Sequence, residues 1–176
     1  MPGWVLERAR DDDADALYAL LCLPPVYRYL ADGAPPPRAA LDAWLARSHR
    51  DFASAGLGLW LLRDAASRLS GCVRLELQAP RSAEVTWVLD PRCWGQGLAT
   101  RMGWTATELA FAGPHVDRIV AGTDDPNAAS LAVMRRLGMR FLRHTVNPAF
   151  PGQEWVRERC DPSPDPLPAQ IRISPA

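Results

Sequence analysis

The stretch from Glu84 to Thr100, EVTWVLDPRCWGQGLAT, limits the folds open to this 176-residue chain more than any other. Its first six residues alternate as in a strand, the chain turns at Asp90-Pro91, and Gly95 and Gly97 precede an amphipathic helix. The first N–H groups of a helix lack partners within it, and the helix dipole adds partial positive charge there. Glycine also lets a ligand approach the backbone closely. The stretch therefore predicts a site for the phosphate or pyrophosphate of a cofactor.

Two common nucleotide-binding motifs are absent. The dinucleotide fingerprint needs three glycines, and the Walker A loop needs a Gly-Lys-Ser/Thr ending, whereas this chain has no lysine. The pattern Arg92-x-x-Gly95-x-Gly97 after a strand, with Trp94 before Gly95, instead resembles the acetyl-CoA loop of the GNAT acyltransferases. A second segment, Asn127-x-x-Ser130 followed by Leu137-Gly138-Met139, is similar to a helix of the RimJ/RimL-like branch of that superfamily.

The remaining pattern predicts a mixed α/β fold. Strands are expected at Trp4–Arg8, Leu57–Arg63, Gly71–Leu77, Glu84–Leu89, Arg118–Thr123, Met139–Thr145 and Glu154–Arg159, and helices after Asp11–Asp13, over Pro37–Ala55, after Gly97 and from Asp124 through Leu137. This order resembles the GNAT fold across about residues 4–160, which implies a mixed, mostly antiparallel sheet flanked by helices. We therefore predict one domain, residues 1–160. Frequent prolines predict a C-terminal tail, residues 161–176, in which Ile171–Ile173 pair with a sheet edge.

The resemblance implies an acetyl-CoA-dependent N-acetyltransferase that works by direct attack in a ternary complex. The strand backbone at Trp87, Val88 and Leu89 would bind the pantetheine arm. The loop and first helical turn would face the pyrophosphate, through Arg92, Cys93, Trp94, Gly95, Gln96, Gly97, Leu98, Ala99 and Thr100. Arg92 is also a candidate for a charge-assisted contact. The alternative is a plain strand-turn-helix punctuated by glycine.

Two residues are candidates for catalysis. Glu84 matches the place where many GNAT enzymes have a general base, although it is equally well explained as a solvated glutamate at a strand end. Many GNAT enzymes protonate the leaving thiolate with a tyrosine, but Met134 lies at that position and cannot donate a proton. Ser130 would then bond the sulfur, or merely a carbonyl of its own helix. Asn127 would contact the pantetheine amides or simply cap its helix.

The acceptor is less constrained. The segment Val26–Leu30 follows Pro24-Pro25 and predicts a loop or short turn that resembles a stretch near the acceptor site of the RimJ/RimL-like branch. Tyr29 is therefore a candidate substrate-binding residue or dimer surface; alternatively it anchors the loop to the core. The implied acceptor is an amine, either a protein N-terminus or a small molecule. The missing tyrosine supports one alternative class, a non-catalytic acyl-CoA-binding or sensor domain.

Composition narrows the partners and the compartment. With 20 basic and 20 acidic residues the formal net charge is zero, which predicts no general attraction to nucleic acid or membrane surfaces. The four cysteines and three histidines show no metal-ligand spacing, so we predict no metal. No apolar stretch approaches the roughly 20 residues of a transmembrane helix. We therefore expect a cytoplasmic protein, and a homodimer remains open.

Overall fold

The computed structural model of the chain describes residues 3–30, 33–78, 80–146 and 151–174, and these contain eight strands and five α-helices. The strands are β1 (Val5–Arg8), β2 (Leu59–Arg63), β3 (Leu69–Leu77), β4 (Ser82–Leu89), β5 (Arg118–Asp124), β6 (Arg140–Val146), β7 (Pro151–Glu158) and β8 (Arg172–Ile173). The helices are α1 (Ala14–Leu21), α2 (Pro24–Leu30), α3 (Arg38–Ala55), α4 (Leu98–Ala112) and α5 (Ala128–Arg136). The mixed α/β fold class is confirmed.

One prediction of local structure is wrong. The segment 26–30, expected as a loop or short turn, belongs to the helix α2. Pro24 and Pro25 open this helix, where a missing backbone N–H costs nothing because the first N–H groups have no intrahelical acceptor. Val26 is buried against α1 and α3, so tertiary packing favours the helical turn. Reading the prolines only as a stop signal led to the error.

The strands form one sheet in the order β6-β7-β5-β4-β3-β2-β1-β8. Its two faces carry separate apolar clusters. On one face, α1, α2 and α3 cover side chains that include Val88 of β4. On the other, α4 and α5 cover side chains that include Val85 and Leu89. The predicted two-residue alternation of β4 is therefore confirmed, and Glu84 shares the face of Val88.

The feature of the sheet that creates a site is the separation of β4 from β5. These neighbours are parallel, and they pair only from Ser82 with Arg118 to Glu84 with Val120. Both strands continue beyond that point, β4 to Leu89 and β5 to Asp124. A wedge therefore opens in the middle of the sheet. On that side of β4, the backbone from Val85 onward has no strand partner within the part of the chain described here.

The C-terminal segment returns to the sheet. Arg172 and Ile173 pair in parallel with Val5 and Leu6, so the predicted edge pairing is confirmed. Ile171 is buried at 3% exposure, and its backbone N–H donates to the hydroxyl of Thr105 on α4. The division into a domain of residues 1–160 and a tail of residues 161–176 stays a prediction, and its last two residues lie outside the described ranges. Over the described ranges, none of the helices combines the length and the apolar character needed to cross a membrane.

Candidate active site

The turn between β4 and α4 has the backbone geometry of an anion cradle. Gly95 and Gly97 have φ values of 75° and 71°, in the left-handed region that glycine tolerates best. Gly97 is the N-cap of α4, and no side chain caps the helix there. A Cβ added to either glycine would find no atom within 4 Å. The space above the first amides of α4 is therefore open, as a bound pyrophosphate would require.

This cradle forms one end of a cleft of about 840 Å³ that follows the wedge between β4 and β5. Its walls combine the strand β4, the turn, the start of α4, one side of α5 and the helix α2. The predicted site residues that line the cleft are Tyr29, Trp87, Val88, Leu89, Cys93, Trp94, Gly95, Gly97, Leu98, Ala99, Thr100, Asn127 and Ser130. The fold thus brings together two sequence segments about 30 residues apart, and the cleft fits an elongated phosphorylated cofactor.

Arg92 and Gln96 do not line this cleft. The Arg92 guanidinium is paired with Asp90, with its Nε 3.0 Å from Oδ1, and it lies over a neighbouring pocket. This hydrogen bond holds the pKa of the Asp90 carboxyl below its usual range. Gln96 donates to the carbonyl oxygen of Arg92. In this structure both side chains stabilise the turn instead of reaching the cleft.

Asn127 and Ser130 lie on the opposite wall. The side-chain oxygen Oδ1 of Asn127 accepts from the backbone N–H of Ser130 at 3.1 Å, so this side chain caps α5. The Ser130 hydroxyl accepts from the indole N–H of Trp87, also at 3.1 Å. Met134 is fully buried and does not reach the cleft. On α5, Ser130 and not Met134 therefore presents a polar group to the cleft.

Glu84 lies in a second pocket, of about 630 Å³, on the sheet face shared with Val88. Burial raises the pKa of its carboxyl; the Arg74 charge opposes this, while Glu76 and Glu154 reinforce it. The side chain of Gln78 donates to the carboxylate at 3.0 Å. Glu84 is thus a half-buried carboxyl group with an elevated pKa. This disfavours its interpretation as a solvated glutamate at a strand end.

The second pocket and the cleft meet at the narrow end of the wedge. Gly122 of β5 lines both, and Glu84 directly precedes Val85, the first residue of β4 in the cleft. Since Gly122 has no side chain, β5 places no side chain between the two pockets at that position. A ligand in the cleft and a ligand in the second pocket could therefore be in contact beside Glu84.

Sequence reasoning missed part of the cleft wall. Pro168 and Ala169 of the C-terminal segment line it, as do Arg101 and Arg136. The carbonyl oxygen of Gln170 accepts from Arg101 at 3.4 Å, across 69 residues of sequence. No local pattern signals this contact, because it depends on where β8 joins the sheet. Arg101 and Arg136 can be assigned to the cleft only after the positions of α4 and α5 in the fold are known.

The fold and the cleft fit an acyltransferase of the acetyl-CoA-dependent type, and comparison with known families shows that the chain is one. The sequence model of the acetyltransferase (GNAT) domain matches residues 4–140. This is well over half of the chain. The protein therefore belongs to the GNAT acetyltransferase family and is an acetyl-CoA-dependent N-acetyltransferase.

Solved structures show the same fold at low sequence identity. Spermidine N-acetyltransferase from Vibrio cholerae, in complex with CoA and spermine, superposes with a TM-score of 0.73 at 17% identity, over 90% of this chain and 96% of that one. RimL, a ribosomal L7/L12 alpha-N-protein acetyltransferase in complex with CoA, superposes with a TM-score of 0.71 at 17% identity, over 87% of this chain and 92% of that one. An aminoglycoside acetyltransferase in complex with CoA superposes with a TM-score of 0.70 at 17% identity, over 89% of this chain and 95% of that one. At this identity the likeness concerns the fold alone.

A glycine pair tests the cradle. Gly97→Ala should weaken acetyl-CoA binding about tenfold or more, because its methyl group enters the open space above the α4 amides. Gly56→Ala is the matched control, since Gly56 has a similar φ of 69°, equally open surroundings and a place at the end of α3 away from the cleft. Both variants should lose about 1 kcal/mol of stability. Calorimetric titration with acetyl-CoA distinguishes the two variants by their affinity. Equal affinities would contradict the assignment of the Gly97 turn as the pyrophosphate site.

Proposed function

We propose that this protein transfers an acetyl group from acetyl-CoA to a primary amine, by direct attack of the amine within a ternary complex. The carrying observation is the position of Glu84, a carboxyl group of raised pKa in a pocket that meets the cofactor cleft. Acetyl-CoA supplies a thioester-activated acetyl group. The acceptor would enter from the second pocket, and the cofactor from the cleft.

In this proposal Glu84 is the general base. An amine acceptor arrives protonated at neutral pH, and it must lose a proton before it can attack. A raised pKa brings a carboxylate closer to the pH at which it works, which improves proton transfer. The negative charge of Glu84 also attracts an ammonium group, and Gln78 fixes one of its oxygens. Glu84 would then accept the proton directly or through one water molecule.

The cofactor would be held mainly by backbone. From Val85 to Val88 the strand β4 offers backbone groups that β5 leaves unpaired, and these suit the amides of a pantetheine arm. The Leu89 carbonyl oxygen already accepts from the Trp94 indole at 3.0 Å. The amides at the start of α4 would hold the pyrophosphate, with Cys93 and Trp94 alongside. Asn127 and Ser130 would contact the thioester end from α5. Arg92 would act through Asp90 and the shape of the turn.

The charges of the second pocket favour an acceptor with one cationic amine. Its three other carboxylates are already paired with arginines: Glu154 with Arg143 at 2.6 Å, Glu158 with Arg118 at 2.8 Å, and Asp117 with Arg81 at 2.7 Å. A polyamine would need several free carboxylates, because each ammonium loses hydration on binding. A protein N-terminal amine or a monoamine fits better. With the Asn127-x-x-Ser130 pattern, this supports placement in the RimJ/RimL-like branch.

Three further predictions remain proposals. Tyr29 lines the cleft from α2, which supports a role in substrate binding. A homodimer and a cytoplasmic location rest on the sequence alone. The alternative function, a non-catalytic acyl-CoA sensor, is disfavoured by membership of the acetyltransferase family, although Met134 stands in place of a tyrosine. Binding of acetyl-CoA with no transfer to any amine would contradict the proposal.

Thermal melting with and without acetyl-CoA tests the proposal first. A ligand bound only by the native state raises the melting midpoint, and at 100 times its dissociation constant it adds about 2.7 kcal/mol of stability. We expect a clear rise with acetyl-CoA and none with NAD or ATP at equal concentration. No rise at saturating acetyl-CoA would count against the proposal. A rise would be followed by screening amine acceptors for release of free thiol.

A further inference from the structure

The inference concerns how Ser130 acquires a defined orientation, and it rests on the proposed function. We infer that Trp87 is a positioning residue: its indole N–H orients the Ser130 hydroxyl so that the hydroxyl hydrogen points to the sulfur of acetyl-CoA. Both residues line the cofactor cleft, from β4 and from α5.

The direction of this hydrogen bond is fixed by chemistry. An indole N–H can only donate, so the Ser130 oxygen is the acceptor in the 3.1 Å contact with Trp87 Nε1. A hydroxyl group has one hydrogen and two lone pairs, and the contact occupies a lone pair. The Ser130 hydrogen therefore remains to be donated to another group.

That hydrogen is not used within α5. A serine or threonine in a helix often donates to the carbonyl one turn earlier, and Thr105 does so here, with its hydroxyl 2.8 Å from the carbonyl oxygen of Arg101. Ser130 makes no such bond within the described residues, where its hydroxyl is hydrogen-bonded to Trp87 Nε1. The reading of Ser130 as a self-bonded helix residue is thereby disfavoured, and its hydrogen is free to point into the cleft.

The surroundings of Trp87 keep its ring in place. The ring passes close to α4 at Gly103, where an added Cβ would lie 3.6 Å from Trp87 Cε3 and 2.9 Å from Leu137 Cδ1. Glycine inside a helix is less stabilising than alanine. Its presence at position 103 is explained by the close packing of Leu137 and Trp87, which leaves little room for a side chain. The indole is thus packed between α4 and α5 with its N–H directed at Ser130.

The arrangement matters for the leaving group. As the bond between the amine nitrogen and the acetyl carbon forms, the carbon–sulfur bond breaks and its electron pair goes to sulfur. Before attack, Glu84 has taken one proton from the ammonium group and passed it to solvent. After attack, the amide nitrogen releases its second proton to solvent, and the thiolate takes a proton from solvent, so one proton is released in all. Ser130 donates a hydrogen bond to the developing thiolate and keeps its own proton. This bond is stronger with a charged acceptor than with the neutral thioester, so it lowers the barrier.

The test is a double-mutant cycle with a matched control. Ser130→Ala should lower kcat about tenfold, and Trp87→Phe by a similar or slightly smaller factor, with KM for acetyl-CoA nearly unchanged. The double variant should match Ser130→Ala within about twofold, because both changes remove the same interaction. Trp60→Phe is the control: Trp60 is buried away from the cleft, and its indole N–H has no partner in the described part of the chain. It should leave kcat unchanged.

A second readout does not depend on turnover. CoA with its free thiol binds as the thiolate above the thiol pKa, so the pH dependence of its affinity reports that pKa in the complex. Titration against desulfo-CoA, which lacks the sulfur, isolates this effect. Ser130→Ala and Trp87→Phe should each raise the pKa of the bound thiol, and Trp60→Phe should not.

The outcomes are distinct. Effects of the two substitutions on kcat that multiply, or a bound-thiol pKa that Trp87→Phe leaves unchanged in a protein that melts normally, would overturn the inference. If the wild type binds CoA but acetylates no amine, the proposed function fails, while the thiol pKa still decides whether Trp87 orients Ser130.

Discussion

Replacement of Glu84 by glutamine is expected to lower kcat by about 10²- to 10⁴-fold, the range that a positioned general base contributes. Glutamine keeps the size of the side chain and its hydrogen bonding with Gln78, but it cannot accept a proton from the amine. Affinity for acetyl-CoA should stay within about twofold, because Glu84 lies outside the cofactor cleft. Steady-state kinetics with a free-thiol readout and calorimetric titration measure the two quantities.

The pH profile distinguishes a base from a mere binding group. Burial raises the pKa of Glu84 above the ordinary glutamate value of about 4.3. The acid limb of kcat/KM should therefore lie above that value in the wild type and be lost in Glu84→Gln. Glu7→Gln is a control with the same change of charge, since Glu7 lies on β1 and its partner Arg63 keeps Asp13. A full acid limb in Glu84→Gln would assign the base elsewhere.

The same group links catalysis to stability. Because its pKa is raised in the folded state, the folded protein binds the Glu84 proton more tightly than the unfolded chain does. The resulting stabilisation is complete below the unfolded pKa and is lost as pH rises through the raised value. At neutral pH, Glu84→Gln should melt higher than the wild type, and the difference should shrink at acid pH. A variant that is more stable but inactive would be typical of a strained catalytic carboxyl.

The sequence predicted the sheet and the glycine turn because both depend on local signals, whereas the link between the turn and the Asn127–Ser130 segment came from the family resemblance. Strand alternation, the prolines and glycines at helix ends, and the capping residue Asn127 are short-range features. The helix α2 was missed because burial of Val26 favours it, which is a tertiary effect. The bond from Trp87 to Ser130 joins residues 43 positions apart, and no short-range pattern specifies it.

Side-chain pairing and burial could not be predicted either, and they decide how two charged site residues act: pairing for Arg92 and burial for Glu84. Arg92 looked suited to bind phosphate, yet the carboxylate two residues earlier, at Asp90, engages its guanidinium. From the sequence, Glu84 was equally well explained as a general base or as a solvated glutamate, and only its position in a pocket favours the base. In both cases the residue type was evident from the sequence, whereas its partner and solvent exposure came from the three-dimensional packing.

The second large effect is expected at Ile171. Its side chain is 3% exposed against the core of α4, so Ile171→Ala should cost about 2–5 kcal/mol of unfolding free energy, as other buried aliphatic truncations do. Leu167→Ala is the matched control in the same segment: Leu167 is 61% exposed, and its loss should change stability by less than about 0.5 kcal/mol. Urea unfolding followed by circular dichroism measures both.

Ile171 should also affect the cofactor, although it does not line the cleft. Its buried side chain packs into the core beside α4 and, together with the backbone N–H bond to Thr105, anchors the segment that includes Pro168 and Ala169 of the cleft wall. Ile171→Ala keeps the backbone bond but removes most of the buried side chain. Loosening this anchor adds conformational freedom that acetyl-CoA must remove on binding, so affinity should fall in Ile171→Ala more than in Leu167→Ala. Equal affinities in the two variants, with Ile171→Ala still folded, would mean that the C-terminal segment stabilises the sheet edge without contributing to the site. A lower affinity would make residues 168–171 part of the functional acetyltransferase, beyond the region that the family motifs cover.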